Sequence, residues 1–239
     1  MTTFLVAHGA WAAGWAWKKM HPLMNTMGHR FITPTYTGLG ERVHLSGPSI
    51  DLETHIQDIL GVIEYEELLD FILIGHSYGG MVATGVADRV GDRISRLVYL
   101  DAFVPKDGQS LFDLVSKENR ERSIKLADSK GEGWLVPPNP MPADTPEDIR
   151  RWAEPKRVSL PIKTVQQPLR LIHDPLPMPI SYIYCTRDNT FEPFARRARE
   201  EGWDYHEMDS SHNPHITMPE QLAALLDKIA GLNSTKFKV

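Results

Sequence analysis

A serine stands between glycines in Gly75-His76-Ser77-Tyr78-Gly79, directly after the apolar run Phe71-Ile72-Leu73-Ile74. G-x-S-x-G between a strand pattern and a helix pattern is the setting of a nucleophile elbow. The sharp turn holds the serine in a strained backbone conformation, and the flanking glycines let strand and helix approach without Cβ clashes. Ser77 Oγ is then pushed out at the carboxyl edge of a sheet, at the positive end of a helix. There the backbone N–H of Tyr78 is free to meet an oxyanion. A Gly-rich turn with a capping serine is the rival reading. The strand before and the helix after favour the nucleophile.

A serine hydroxyl is a weak nucleophile until a base takes its proton, so a histidine oriented by a carboxylate is required. In sheets with such an elbow the acid and then the base follow the nucleophile along the chain, which leaves four of the ten histidines: His173, His206, His212 and His215. His206 falls inside a strand pattern and His173 in a proline-rich stretch. His212, in Asp209-Ser210-Ser211-His212-Asn213-Pro214, directly follows the last strand pattern and is the expected base, with His215 as the alternative. For the acid, Thr186-Arg187-Asp188-Asn189 leaves the carboxyl end of the preceding strand pattern, and Asp188 is expected. Asp101, at the end of an earlier strand pattern, is the other carboxylate at this sheet edge and reads as a turn or capping group.

The second oxyanion donor should come from the loop after the first strand, His8-Gly9-Ala10-Trp11, and the N–H of Ala10 is the expected one. His8 and His76 read as structural hydrogen-bonding residues. Trp11, Phe103, Leu111, Phe112, Trp134, Leu135 and Met141 are candidates for an apolar substrate pocket, each of which would equally suit a buried core. This chemistry needs neither a metal nor an organic cofactor.

These groups need a frame. Strand patterns at residues 3–7, 30–34, 71–74, 96–100, 180–185 and 205–208 alternate with helix-period segments, the signature of a mostly parallel sheet of about six strands covered by helices. Leu52, Ile56, Ile59 and Ile63 share one helical face, as do Leu222, Leu225, Leu226 and Ile229. The rhythm stops after Leu100. Residues 105–179 hold most of the prolines and only short helical patterns, so they read as a cap or lid inserted into a core of residues 1–104 and 180–233, with a polar tail at 234–239.

The chain has 239 residues, 41% of them hydrophobic, enough for one sizeable α/β core. A net charge of −5 without blocks of like charge leaves no footprint for nucleic acid or an anionic membrane. No basic leader and no apolar span of about 18 residues occurs, so a cytoplasmic location is expected. The single cysteine, Cys185, excludes an intrachain disulfide and reads as a buried core thiol. A small-molecule ester is the expected partner, and a homodimer is left open.

HGAW, GHSYGG, YCTRD and HNPHITMPEQLA together resemble the α/β-hydrolase superfamily over nearly the whole chain. They look most like its group of plant hydroxynitrile lyases, methylesterases and bacterial esterase relatives. The resemblance implies the α/β-hydrolase fold with a helical cap, maps Ser77, Asp188 and His212 onto the triad, and maps Ala10 and Tyr78 onto the oxyanion donors. The lyases of this group carry a lysine after the catalytic histidine and a threonine in the oxyanion loop. Asn213 and Gly9 stand there in this chain. A serine carboxylesterase is therefore the expected function. Amide or carbamate hydrolysis or a lyase reaction on the same scaffold, and a hydrolase-fold ligand receptor, are the alternatives.

Overall fold

The computed structural model describes residues 1–233, so the expected tail at 234–239 lies outside the described residues. In chain order the elements are β1 (Thr3–Ala7), α1 (Met20–Thr26), β2 (Arg30–Ile32), α2 (Leu52–Tyr65), β3 (Phe71–His76), α3 (Gly79–Val90) and β4 (Ile94–Leu100). An excursion follows with α4 (Leu111–Leu114), α5 (Lys117–Lys130), β5 (Leu135–Val136), α6 (Glu147–Ala153), β6 (Leu160–Pro161) and α7 (Lys163–Gln166). The chain then returns through β7 (Ile180–Cys185), α8 (Glu192–Glu200), β8 (Asp204–Met208), α9 (Pro214–Thr217) and α10 (Pro219–Asn233).

Six strands form one parallel sheet in the order β2-β1-β3-β4-β7-β8. The short β5–β6 pair is antiparallel and separate, so no strand of the excursion joins the main sheet. Strand alternation builds the two sides of the core. Leu5 and Leu73 face the layer holding Ile56, Ile59 and Val86, and Phe4 and Ile72 face the layer holding Met20, Leu222 and Leu226. The helical faces visible in the sequence thus cover opposite sides of the sheet, each fully buried Leu or Ile contributing about 1.5–3 kcal/mol of transfer free energy. The start of α2 is fixed by a capping box in which Thr54 N–H donates to Asp51 Oδ1 at 2.9 Å.

β1 and β3 are neighbours whose following connections run to opposite sides of the sheet. That is the switch point at which the carboxyl ends of parallel strands open a crevice. The loop after β1 and the turn after β3 both empty into it. Among the described residues, no helix is long and apolar enough to cross a membrane.

Candidate active site

Ser77 occupies the turn between β3 and α3 with φ 57, a left-handed conformation costing a non-glycine residue about 1–2 kcal/mol. The surroundings over-determine it. Its N–H donates to Leu100 O at 3.3 Å, and its carbonyl accepts from Gly80 N at 3.0 Å and Phe103 N at 3.2 Å. A Cβ on Gly79 would stand 2.0 Å from Ala7 O, and one on Gly80 2.0 Å from Phe103 O. Only glycine permits this approach of α3 to the strand ends. Tyr78 is the N-cap of α3, where backbone N–H groups have no intrahelical acceptor. Its hydroxyl donates to His55 Nδ1 at 2.9 Å, since His55 Nε2 is engaged by the Thr37 carbonyl, which can only accept.

The facing loop is set by His8. Tyr36 N–H donates to His8 Nε2 at 3.2 Å, so Nδ1 carries the proton and donates to Gly9 O at 2.8 Å. The carbonyl and N–H of a trans peptide point in opposite directions, so fixing Gly9 O also fixes the direction of Ala10 N–H. Burial drives the His8 pKa down to about 3 and keeps the ring neutral. A Cβ on Gly9 would lie 2.9 Å from His76 Nδ1 and 3.2 Å from Ser77 Cβ, so the loop lies directly against the elbow.

His212 leaves β8 on the loop before α9. His212 Nδ1–H donates to Asp101 Oδ2 at 2.7 Å, and Asp101 is fully buried. This corrects the expected partner. Asp188 lies beside the same histidine, close enough to interact with it electrostatically, but its Oδ1 is taken by Thr190 N–H at 2.7 Å and by the Thr190 hydroxyl at 2.6 Å. That local Asx turn turns the carboxyl group back on its own loop. Asp101 instead directly follows β4 with φ 43, is anchored by its N–H to Ile183 O at 2.8 Å, and accepts Cys185 N–H on Oδ1 at 3.1 Å. Burial raises the Asp101 pKa, against the lowering pull of His212 and of the Cys185 N–H. Burial likewise raises that of the Cys185 thiol.

Around His212 the rings are closely packed. Phe191 stacks on it at 4.8 Å and 4°. His76 Nε2–H donates to its carbonyl at 2.9 Å. His215 is stacked on Trp17 at 4.3 Å, and its buried Nδ1 has no partner among the described residues. Its pKa is lowered to about 3, first by burial and then by His212. Neither His206, paired with Asp204 at 3.0 Å, nor His173, on Asp88 at 3.1 Å, approaches this cluster.

Ser77, His212, Ala10 and Tyr78 line one cavity of about 420 Å³. Trp11, Phe103, Leu111, Phe112 and Met141 line it too. Trp134 and Leu135 do not. Trp134 closes a turn with its N–H on Gly131 O at 2.9 Å, and Leu135 alternates with Val136, the β5 residue that reaches the cavity together with Leu160 of β6. Phe191, which sequence reasoning missed, also forms part of the wall. Among the described residues no group of three or more His, Cys, Asp or Glu side chains is arranged to hold a metal ion.

A buried carboxylate holding an imidazole that lines one cavity with a strained serine, Ala10 and Tyr78 is suited to acyl transfer. A family model described as "Alpha/beta hydrolase family" matches residues 4–225. A Nocardioides protein named "Carbendazim hydrolyzing esterase" is 40% identical over 97% of this chain and 100% of its own length. Among solved structures, an extracellular α/β-hydrolase from a Paenibacillus species superposes with a TM-score of 0.86 at 27% identity, covering 95% of this chain and 98% of that one. It is described as sharing structural and functional homology with tobacco Salicylic Acid Binding Protein 2. A methylesterase from Arabidopsis shares the fold at a TM-score of 0.73 and 19% identity, covering 97% of this chain and 100% of that one.

Proposed function

Because this chain belongs to the α/β-hydrolase family, we propose that it is a serine esterase whose triad is Ser77, His212 and Asp101, with Asp101 in the role the sequence suggested for Asp188. The observation that carries the reading is the buried Asp101–His212 bond, which leaves Nε2 of the imidazole as the basic nitrogen in the cavity that also holds Ser77.

Ser77 Oγ attacks the ester carbonyl while His212 Nε2 takes its proton. The N–H groups of Ala10 and Tyr78 meet the oxyanion of the tetrahedral intermediate. The imidazolium then protonates the leaving alcohol, and water, deprotonated by the same nitrogen, releases the acid from the acyl-enzyme. Asp101 holds the tautomer and stabilises the imidazolium. His8 acts through the Gly9–Ala10 peptide, and His76 through the His212 carbonyl.

The substrate is a small to medium hydrophobic or aryl carboxylic ester, bound between the sheet edge and residues 105–179, which serve as the cap. Phe103, Leu111, Phe112 and Met141 supply apolar wall on that side. A second reading, hydrolysis of carbamic esters, is favoured by the Nocardioides relative, whose name assigns it to carbendazim, a methyl carbamate. Carboxylic and carbamic esters both place an alkoxy leaving group on a carbonyl, so the same oxyanion site serves either.

The test is hydrolysis of a chain-length series of p-nitrophenyl esters and of a methyl arylcarbamate, by the wild type and Ser77→Ala. Turnover that falls about a million-fold in the variant supports the triad. Turnover that survives the substitution rules it out, and faster hydrolysis of the carbamate would select the second reading.

A further inference from the structure

The cavity that holds Ser77 also carries a charge arrangement that ester chemistry does not require. Arg122 of α5 and Arg157, which follows α6, both line the cavity. They converge on one residue: Arg122 Nη2–H donates to Asn139 Oδ1 at 2.9 Å, and Arg157 Nη1–H donates to Asn139 O at 2.6 Å. Both acceptors are neutral. Among the described residues no carboxylate lies within ion-pair distance of either guanidinium, although most other arginines of the chain have one.

Arg157 is half-buried, and its guanidinium lies 5.8 Å from the ring of Trp11, the residue that follows the oxyanion donor Ala10. Burial works against its charge and lowers its pKa, with only a Coulombic contribution from Glu154 opposing the effect. Arg157 carries a partly desolvated charge with no carboxylate in ion-pair distance, the exposed Arg122 adds a second cation on the same asparagine, and an anion placed against them offsets the cost at Arg157. Among the described residues the only carboxylate on the cavity wall is Asp188, which is held by Thr190 on the His212 side. A planar guanidinium with donors to spare suits a carboxylate, which it can meet with two parallel hydrogen bonds.

We propose that Arg157 and Arg122 form a subsite for an ionised carboxylate carried by the ester substrate at the end remote from the scissile carbonyl. The natural substrate class is then an ester acid, with an apolar stem along Val136, Leu160 and Met141 and an anionic end at the two arginines. The inference rests on the esterase reading and narrows it. Arg157 acts as a specificity residue, and the carboxylate is bound without being transformed.

The experiment compares mono-p-nitrophenyl adipate with p-nitrophenyl heptanoate, and 4-carboxyphenyl butyrate with 4-carbamoylphenyl butyrate. The two pairs place the anion on the acyl side and on the leaving-group side. The reading is the ratio of kcat/KM for the anionic over the neutral ester, which cancels any general disturbance of Trp11 or of folding. Arg157→Gln lowers that ratio about tenfold or more in at least one pair, the scale of one charge-assisted contact, while Arg157→Lys keeps most of it. A ratio that changes less than about twofold in both pairs overturns the subsite.

Adipic acid monoanilide, an amide lacking the ester, is titrated calorimetrically in parallel against the wild type and Arg157→Gln. If no ester is turned over, the esterase reading fails by itself. The subsite stands if anilide affinity falls about tenfold in the variant and falls with an unchanged affinity.

Discussion

His212 and Asp101, 111 residues apart in the chain, share a hydrogen bond of 2.7 Å whose carboxylate partner is wholly buried between the ends of β4 and β7. Asp188, nearer in sequence and beside the same ring, spends its Oδ1 on Thr190. Two substitutions separate the carboxylates. Asp101→Asn replaces an acceptor with a group that can present its amide to Nδ1 and favour the wrong tautomer, and kcat should fall about 10⁴-fold. Asp188→Asn leaves the imidazole held and should cost no more than about tenfold. Steady-state kinetics on one activated ester measures both, and the reverse ranking would return the role to Asp188.

Gly79 sits where α3 meets the end of β1, so close that an added Cβ would stand 2.0 Å from Ala7 O, and Gly79→Ala should destabilise the fold by more than about 3 kcal/mol. Gly61 lies within α2 with nothing inside 4 Å of the same position, and Gly61→Ala should stabilise by about 0.5–1 kcal/mol. Urea unfolding of the two variants gives opposite displacements of the midpoint; equal displacements would refute the packing described at the elbow.

Four histidines are buried neutral. Burial lowers the pKa of His8 and His215 to about 3, that of His55 to about 4, and that of His76 well below its ordinary value. The unfolded chain binds protons at these sites below about pH 6.5, and the folded chain does not until the lowered values are reached. Unfolding therefore takes up protons across that interval, and stability falls as the pH drops from about 6.5 toward 4, by about 1.4 kcal/mol per pH unit for each fully titrating histidine. Asp101 adds the opposite sign at the acid end, because its raised pKa favours the folded state when it is protonated. Unfolding free energies measured at pH 7, 6 and 5 should decline steeply. A flat profile would show that these rings are not held neutral.

The frame of this protein could be read from its sequence because the central strands of the main sheet are short apolar runs bounded by turn residues. Thr3–Ala7 and Ile180–Cys185 appear in the structure at the bounds the pattern suggested. Other edges moved for local reasons. β3 runs on through Gly75 and His76, paired to Tyr99 and Leu100, because the elbow needs backbone there more than side-chain propensity. The acid was ambiguous because Asp101 and Asp188 both leave β-strands at one sheet edge. What separates them is a left-handed turn and a buried Cys185 N–H, neither of which has a sequence signature. One clue was present: an aspartate two residues before a threonine is often held by its own loop. The wall formed by β5 and β6 was not legible, since two-residue strands carry no period: Trp134 and Leu135, equally suited by type to pocket or core, stand beside the cavity residues Val136 and Leu160.

The most direct test of the central claim is covalent: intact-mass and peptide analysis after treatment with a serine-directed phosphonate. A single adduct on Ser77 is expected, absent in Ser77→Ala, formed far more slowly in Asp101→Asn and at near wild-type rate in Asp188→Asn. An unmodified wild-type protein, or an adduct confined to another serine, would contradict it.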